Sequence, residues 1–241
     1  MRKGFIILAI ASCSLGTMAQ NTGAQQKAYH WKVGVEAGVS CSVLDIDVSG
    51  LSNTTYKVRP GFTMGVAAEY NVVDNLAVGL GVSFVQRDYL YQHTKGDAWK
   101  TRYNNNFVSI PLTVSYYLLH NPYREKGLWL KPQVGVYYDY FISMHTKGTY
   151  PMTIMEGYNG QGAYLDYKTT YDFGTNENHL RRSLFGGTVG VQAGYSFGRT
   201  DVFASYQFQY GFSHIYQEKS RTGKTARRNS SVITVGFAYK L

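Results

Sequence analysis

Residues 232–241 read VITVGFAYKL, with Ile233, Val235, Phe237, Tyr239 and Leu241 on one side of an extended chain and Val232, Thr234, Gly236, Ala238 and Lys240 on the other. A period of two is the mark of a strand, because successive side chains leave a pleated backbone on opposite faces. Here one face carries only large apolar groups and the other holds small residues and a lysine. The pattern runs unbroken to Leu241, so nothing at the end of the stretch loosens the demand for pairing.

The same alternation recurs seven times upstream. Its apolar rows start at Trp31, Phe62, Leu76, Val108, Leu128, Phe185 and Val202 and continue at alternate positions, broken only by Pro132 in the fifth and Gly187 in the sixth; the fourth reads Val108, Ile110, Leu112, Val114 and Tyr116. With the final stretch this makes eight strands, an even number that suits an antiparallel up-and-down barrel. A soluble barrel also alternates, so the other face decides. Strand six offers Gly186, Thr188, Gly190, Gln192, Gly194 and Ser196 there, and strand four offers Ser109, Pro111, Thr113 and Ser115. A water-facing row would be rich in Lys, Glu and Asp. Small uncharged residues instead fit a crowded lumen, which leaves the charge-free apolar rows to face hydrocarbon. The expected fold is therefore all-β, an eight-stranded antiparallel up-and-down transmembrane β-barrel. Its last strand must pair with its first, because unpaired backbone groups in hydrocarbon cost several kcal/mol each.

Connection lengths give the orientation. Short links at Val73–Asn75 and Gly198–Thr200, and a moderate one at HNPYREKG (residues 120–127), alternate with long ones over 45–60, 92–103, 146–181 and 217–229. Short periplasmic turns and long extracellular loops follow this order, so both ends of the chain are expected in the periplasm. Trp31, Tyr70, Tyr116, Tyr195, Phe197 and Tyr239 all fall at the same rim, a predicted periplasmic aromatic girdle.

The opening MRKGFIILAIASCSLGTMAQ pairs Arg2 and Lys3 with an apolar run and then small residues. This reads as a signal peptide over residues 1–19, cleaved before Gln20, with a short periplasmic segment over 20–29 and the barrel over 30–241. A membrane anchor and a lipoprotein site at Cys13 are the weaker alternatives, the first because the run is well short of the ~20 residues of a spanning helix. Composition agrees with strands and turns: Gly 26, Tyr 22 and Pro only 5. Loss of Cys13 would leave Cys41 alone, with no intrachain disulfide. The formal charge of +9 raises nucleic acid as a partner, but export and the concentration of charge in loops exclude that class.

RPGFTMGVAAEYNVV (59–73), NLAVGLGVSFVQRDY (75–89) and NFVSIPLTVSYYL (106–118) resemble the outer-membrane β-barrel domain of PorT-type and small "porin family" proteins of Bacteroidetes. The resemblance covers the chain from residue 20 on and rests on strand geometry and glycine spacing. It implies a Gram-negative outer-membrane location. Relatives so named include a component of a secretion apparatus, but no catalytic signature comes with the likeness.

Strand parity puts Lys32, Glu36, Glu69, Arg87, Lys131, Asp139 and Lys240 in the lumen, either as a salt-bridged plug or as selectivity elements of a narrow pore. In the third long loop Tyr158, Tyr164 and Tyr167 are candidates for surface binding, and in the fourth Arg221, Lys224, Arg227 and Arg228 are candidates for pairing with lipopolysaccharide phosphates. Nucleophile–base pairs are sparse: Ser213 and His214 are adjacent and face opposite ways, and Ser143 with His145 lacks an acid. The His residues show no metal-ligand spacing, so neither cofactor nor metal is expected. The expected function is that of a non-enzymatic barrel acting through extracellular loops or partner contacts, including a PorT-like secretion or assembly role. The alternatives are a small passive porin-like channel and, behind it, a lipid-modifying enzyme. Expected partners are outer-membrane lipid, lipopolysaccharide, the barrel-insertion machinery, which reads such a final strand, and an unidentified secretion-system or surface partner.

Overall fold

In the computed structural model the described residues are 29–46, 54–94, 99–151, 164–177, 179–218 and 226–241. They form ten antiparallel strands: β1 (Trp31–Ile46), β2 (Thr54–Val73), β3 (Leu76–Gln86), β4 (Tyr89–His93), β5 (Lys100–Tyr116), β6 (Gly127–Pro151), β7 (Tyr164–Thr170), β8 (Ser183–Ser196), β9 (Thr200–Gly211) and β10 (Ala226–Lys240). Eight of them close a ring in the order β1, β2, β3, β5, β6, β8, β9, β10, and β10 returns to β1 with a register running from Lys32↔Lys240 to Ile46↔Ala226. Each ring strand thus has a neighbour on both sides through the apolar band, which is what backbone polarity in hydrocarbon demands.

The eight expected strands are the ring; β4 and β7 are additions to it. β4 pairs with β2 and β5 and continues the line of β3 beyond an interruption at Arg87–Asp88. β7 pairs with the overhanging half of β6, from His145↔Thr170 to Pro151↔Tyr164. The long connections consequently contain much more strand than their expected spans allowed. β2 begins at Thr54, β5 at Lys100 and β10 at Ala226, while β6 runs on to Pro151. The reason is physical: beyond the apolar band both faces of a strand are polar, so side-chain alternation fades while the backbone ladder continues.

The faces separate cleanly within the band. Along β1 the inward positions Lys32, Ser40 and Ser42 are buried, whereas Trp31, Val33, Val35 and Val39 are exposed on the outside. Val235 on β10 is 65 % exposed and Lys240 on the opposite face 1 %. In water such a surface would be untenable; in a bilayer it is the contact with lipid. Val235→Arg is accordingly expected to cost about 2–4 kcal/mol if it lies near the midplane. Urea unfolding in lipid vesicles measures this, and an unchanged midpoint would mean that this face is not in hydrocarbon.

Aromatic belts flank the band. At the turn end Trp31, Tyr70, Tyr116, Tyr195, Phe197 and Tyr239 all point outward, with Trp31 against Tyr70 at 4.8 Å and Tyr195 against Phe197 at 4.7 Å between ring centroids. A second belt that the sequence reading had not separated out lies at the loop end, where Tyr138 meets Phe185 at 5.1 Å and Tyr210 meets Phe212 at 6.0 Å.

Candidate functional site

The interior is polar at both ends, and each end gathers its own charges. At the turn end β1, β2, β6, β9 and β10 aim Lys32, Glu69, Lys131, Asp201 and Lys240 at one another. Lys32 Nζ lies 3.1 Å from Glu69 Oε1 and 3.6 Å from Asp201 Oδ2, and Lys240 Nζ lies 2.8 Å from Asp201 Oδ1. Lys131, from the far wall of the ring, reaches across the lumen to Glu69 Oε2. Glu69 also accepts hydrogen bonds from the hydroxyls of Tyr117 and Tyr123, the second at 2.9 Å. Three ammonium groups thus share two carboxylates. Aromatic faces take up part of the surplus: Lys32 Nζ sits 5.0 Å from the centroid of Trp129 and 5.2 Å from that of Tyr123.

Space for these rings is made locally. A Cβ at Gly194 would stand 2.5 Å from Trp129 Cζ2, and one at Gly236 would stand 2.3 Å from Phe203 Cζ. These glycines in β8 and β10 therefore let Trp129 and Phe203 lie flat against the wall. From below, the turn between β5 and β6 folds up rather than out, and buries Asn121 and Tyr123. Burial and then the Glu69 carboxylate raise the Tyr123 hydroxyl well above the usual tyrosine range, which keeps it a donor.

The loop end has a second cluster. Arg87 Nε pairs with Asp139 Oδ2 at 2.9 Å, and Arg59 Nη1 with Asp88 Oδ2 at 3.3 Å. Asn105 donates its backbone N–H to Asp88 Oδ1 at 3.0 Å, which pins the interruption between β3 and β4. Arg228 lies here too, its guanidinium 4.8 Å from the centroid of Phe107 and 5.8 Å from that of Phe141. Between the two clusters a cavity of about 80 Å³ is lined by Glu36, Gln133, Gln192 and Gln207, among others. Glu36 accepts a hydrogen bond from Thr234 Oγ1 at 2.8 Å. A cavity of that size holds a few waters, not a solute stream. Above Arg228 a wider hollow of about 350 Å³ opens between Tyr56, Tyr103, Met144, Leu184 and Tyr216.

The structure thus brings Lys32, Glu69, Lys131 and Lys240 into one network, Arg87 and Asp139 into another, and leaves Glu36 between them. Asp201 belongs to the first network and was overlooked, although it directly precedes the outward Val202 and parity alone would have placed it. Arg228 requires a correction. It was expected in the fourth loop as a surface residue for pairing with lipopolysaccharide phosphates, but it is on β10, on the same side as Lys240, and only 8 % exposed. The extension of β10 beyond the apolar band hid that parity. Arg227 is its outward neighbour and donates to the Tyr210 hydroxyl at 3.1 Å. Tyr167 is exposed on β7. Tyr158, Arg221 and Lys224, the side chain of Tyr164, and the residues of the expected signal and the segment after it up to residue 28 lie outside the described residues.

The nucleophile candidates are otherwise engaged. Ser143 Oγ accepts from Asn106 Nδ2 at 2.9 Å, while His145 Nδ1 lies 3.0 Å from Thr170 Oγ1. Ser213 Oγ accepts from the backbone N–H of Phe185 at 2.8 Å. Among the described residues no three His, Cys, Asp or Glu side chains are grouped to hold a metal.

A closed eight-strand ring with an apolar outer band, two aromatic belts and a charged, packed interior defines a transmembrane β-barrel of the outer-membrane type. The sequence model for the family described as "Outer membrane protein beta-barrel domain" matches residues 18–217. The chain belongs to that family, and its place is the outer membrane. No curated protein matches the sequence. Solved structures with a similar course include the outer membrane protein OprG from Pseudomonas aeruginosa, with 12 % identity over 90 % of this chain and 98 % of that one and a TM-score of 0.48. The outer membrane protease OmpT from Escherichia coli has 12 % identity over 91 % and 99 % with a TM-score of 0.49. A major outer membrane protein from Thermus thermophilus has 17 % identity over 88 % and 99 % with a TM-score of 0.44.

Proposed function

We propose that this outer-membrane barrel is a closed, non-enzymatic protein whose work is done at its loop end, through contacts with partners or with the surrounding leaflet, and not by conduction through its lumen. The observation that carries this reading is the contact of Lys131 with Glu69 across the ring, roofed and floored by Trp129, Phe203, Tyr117 and Tyr123. A path for ions would have to break two buried ion pairs and displace packed aromatics, and a cost of several kcal/mol for each uncompensated charge opposes it. Short turns at one end and long strands and loops at the other support an orientation with the turn end in the periplasm. The N-terminal residues support export by a cleaved signal peptide. The likeness of residues 59–73, 75–89 and 106–118 to PorT-type proteins of Bacteroidetes makes a secretion or assembly role one form that such partner contacts would take.

Planar-bilayer recording tests the central point. The wild-type protein is expected to give no unitary current steps above those of protein-free bilayers. Steady steps that change size in Glu69→Gln would establish the passive-channel reading instead.

A further inference from the structure

On the outer face of the barrel, above the apolar band, the strand register sets Arg102 of β5 opposite Lys147 of β6, and Lys147 opposite Lys168 of β7. Three cations therefore stand in one row across three neighbouring strands, and strand spacing puts their backbones within about 10 Å of one another. Like charges placed directly opposite each other destabilise a sheet, and natural sheets avoid them. Lys100 stands two residues along β5 from Arg102, and His145 two residues along β6 from Lys147. None of Lys100, Arg102, Lys147 and Lys168 forms an ion pair among the described residues. Asp166, opposite Thr149, is the nearest acid by register and does not offset the row. The row is unlike the lumen clusters, where each lysine has a carboxylate. Among the described residues nothing neutralises it, which leaves the row open to an anion from outside.

Its height says what that is. Ile142 is exposed at an irregularity of β6, where Phe141 and Ser143 face the consecutive residues Phe107 and Asn106, and the outer face continues from it through Ser143 and His145 to Lys147, five positions on. At about 3.3 Å per residue along a strand tilted 35–45°, the row stands ~12 Å beyond the edge of the apolar band. It also points sideways from the wall rather than up into solvent. Long cationic side chains there bend back toward the interface, where the headgroups of the leaflet lie.

We infer that the Arg102–Lys147–Lys168 row is a binding site for the phosphate-bearing headgroup of an outer-leaflet lipid. The guanidinium of Arg102 suits a bidentate grip on phosphate oxygens, and the two lysines add point charges on either side of the same anion or of a second phosphate nearby. This deepens the proposed reading, on which it rests for the assignment of the loop end to the outer leaflet.

The test uses the whole protein in dodecyl maltoside and diphosphoryl lipid A as the probe, with the same lipid stripped of its phosphates for comparison. Wild type is expected to bind the diphosphoryl form saturably and at least tenfold more tightly than the stripped form, with an affinity that falls as salt rises. The triple variant Arg102→Gln, Lys147→Gln, Lys168→Gln is expected to lose that preference. All three positions point outward, so the variant should still run as a compact, heat-modifiable species, and it should melt no earlier than wild type because the repulsion is gone. Arg102→Lys alone should weaken binding less than the triple variant, because it keeps the charge and loses only the two-pronged grip. Equal binding of the two lipids, equal binding by the triple variant, or no saturable binding by wild type would each overturn the inference. Labelling of Lys168→Cys from outside intact cells separates the two levels of argument. Absence of labelling overturns the orientation, whereas labelling without lipid A binding overturns this site alone.

Discussion

Removing residues 232–241 is expected to abolish the folded barrel rather than weaken it. These residues form the inner side of the seam, where Val232 to Lys240 pair with Ser40 to Lys32 of β1 and with β9 on their other flank. Without them two strand edges face hydrocarbon, and each unsatisfied backbone group there costs several kcal/mol. A handful of such groups exceeds the whole stability of an ordinary domain, about 5–15 kcal/mol. The measurement is electrophoretic mobility of vesicle-reconstituted protein with and without boiling. The full chain should show a compact, heat-modifiable band and the shortened chain none. A shortened chain that still resisted unfolding would mean that the ring is not closed through β1 and β10.

Glu69→Gln should have the next largest effect. The substitution leaves Lys131 with no carboxylate within ion-pair distance among the described residues and leaves Lys32 with Asp201 alone at 3.6 Å. Breaking one side of a buried pair typically costs about 3–5 kcal/mol, since the abandoned charge keeps its desolvation penalty. Equilibrium unfolding by urea in vesicles should show a loss of that order. Adding Lys131→Met to Glu69→Gln should return much of it, because the orphaned ammonium is gone and an apolar chain of similar length fills its place. If Glu69→Gln alone were neutral, water would have to be solvating the cluster, and the closed-lumen reading would fail with it.

Those two effects also mark how far the sequence could be read. Alternation in each ring strand was legible because lipid on one side and a crowded lumen on the other impose opposite chemistries at every second residue. Parity then placed Lys32, Glu69, Lys131 and Lys240 inside, but no parity says that Lys131 crosses the ring to Glu69. That contact needs the register of several strand pairs and the closure of the ring at once. Tyr117 and Tyr123 were beyond reach for a different reason: they follow the last residue of β5, where the chain leaves the pleat and the turn folds inward. At the loop end β4, β7 and the start of β10 lie outside the band, so the sequence there offers turn residues and charges on both faces. Arg228 was misplaced for that reason, and the Arg102–Lys147–Lys168 row went unseen because its three members come from separate strands and acquire meaning only when aligned.

The seam between β1 and β10 bears on how the barrel reaches one alignment and not another. A slip of one residue would turn lysines toward lipid, and alternation alone forbids it. A slip of two residues keeps every face correct, so alternation is blind to it. The side-chain bonds across this seam are not: Thr234 to Glu36 at 2.8 Å, Ser42 to Ser230 at 2.8 Å, and Lys32 to Asp201 at 3.6 Å all fail together when the strands slide by two. Each of the two facing lysines meanwhile has a carboxylate within its own hairpin, Lys32 with Glu69 in one and Lys240 with Asp201 in the other. Repulsion between the facing lysines thus does not obstruct closure in the correct frame, and the misaligned frames gain none of the cross-seam bonds. The lumen charges act in this sense as a proofreading device for the last step of assembly.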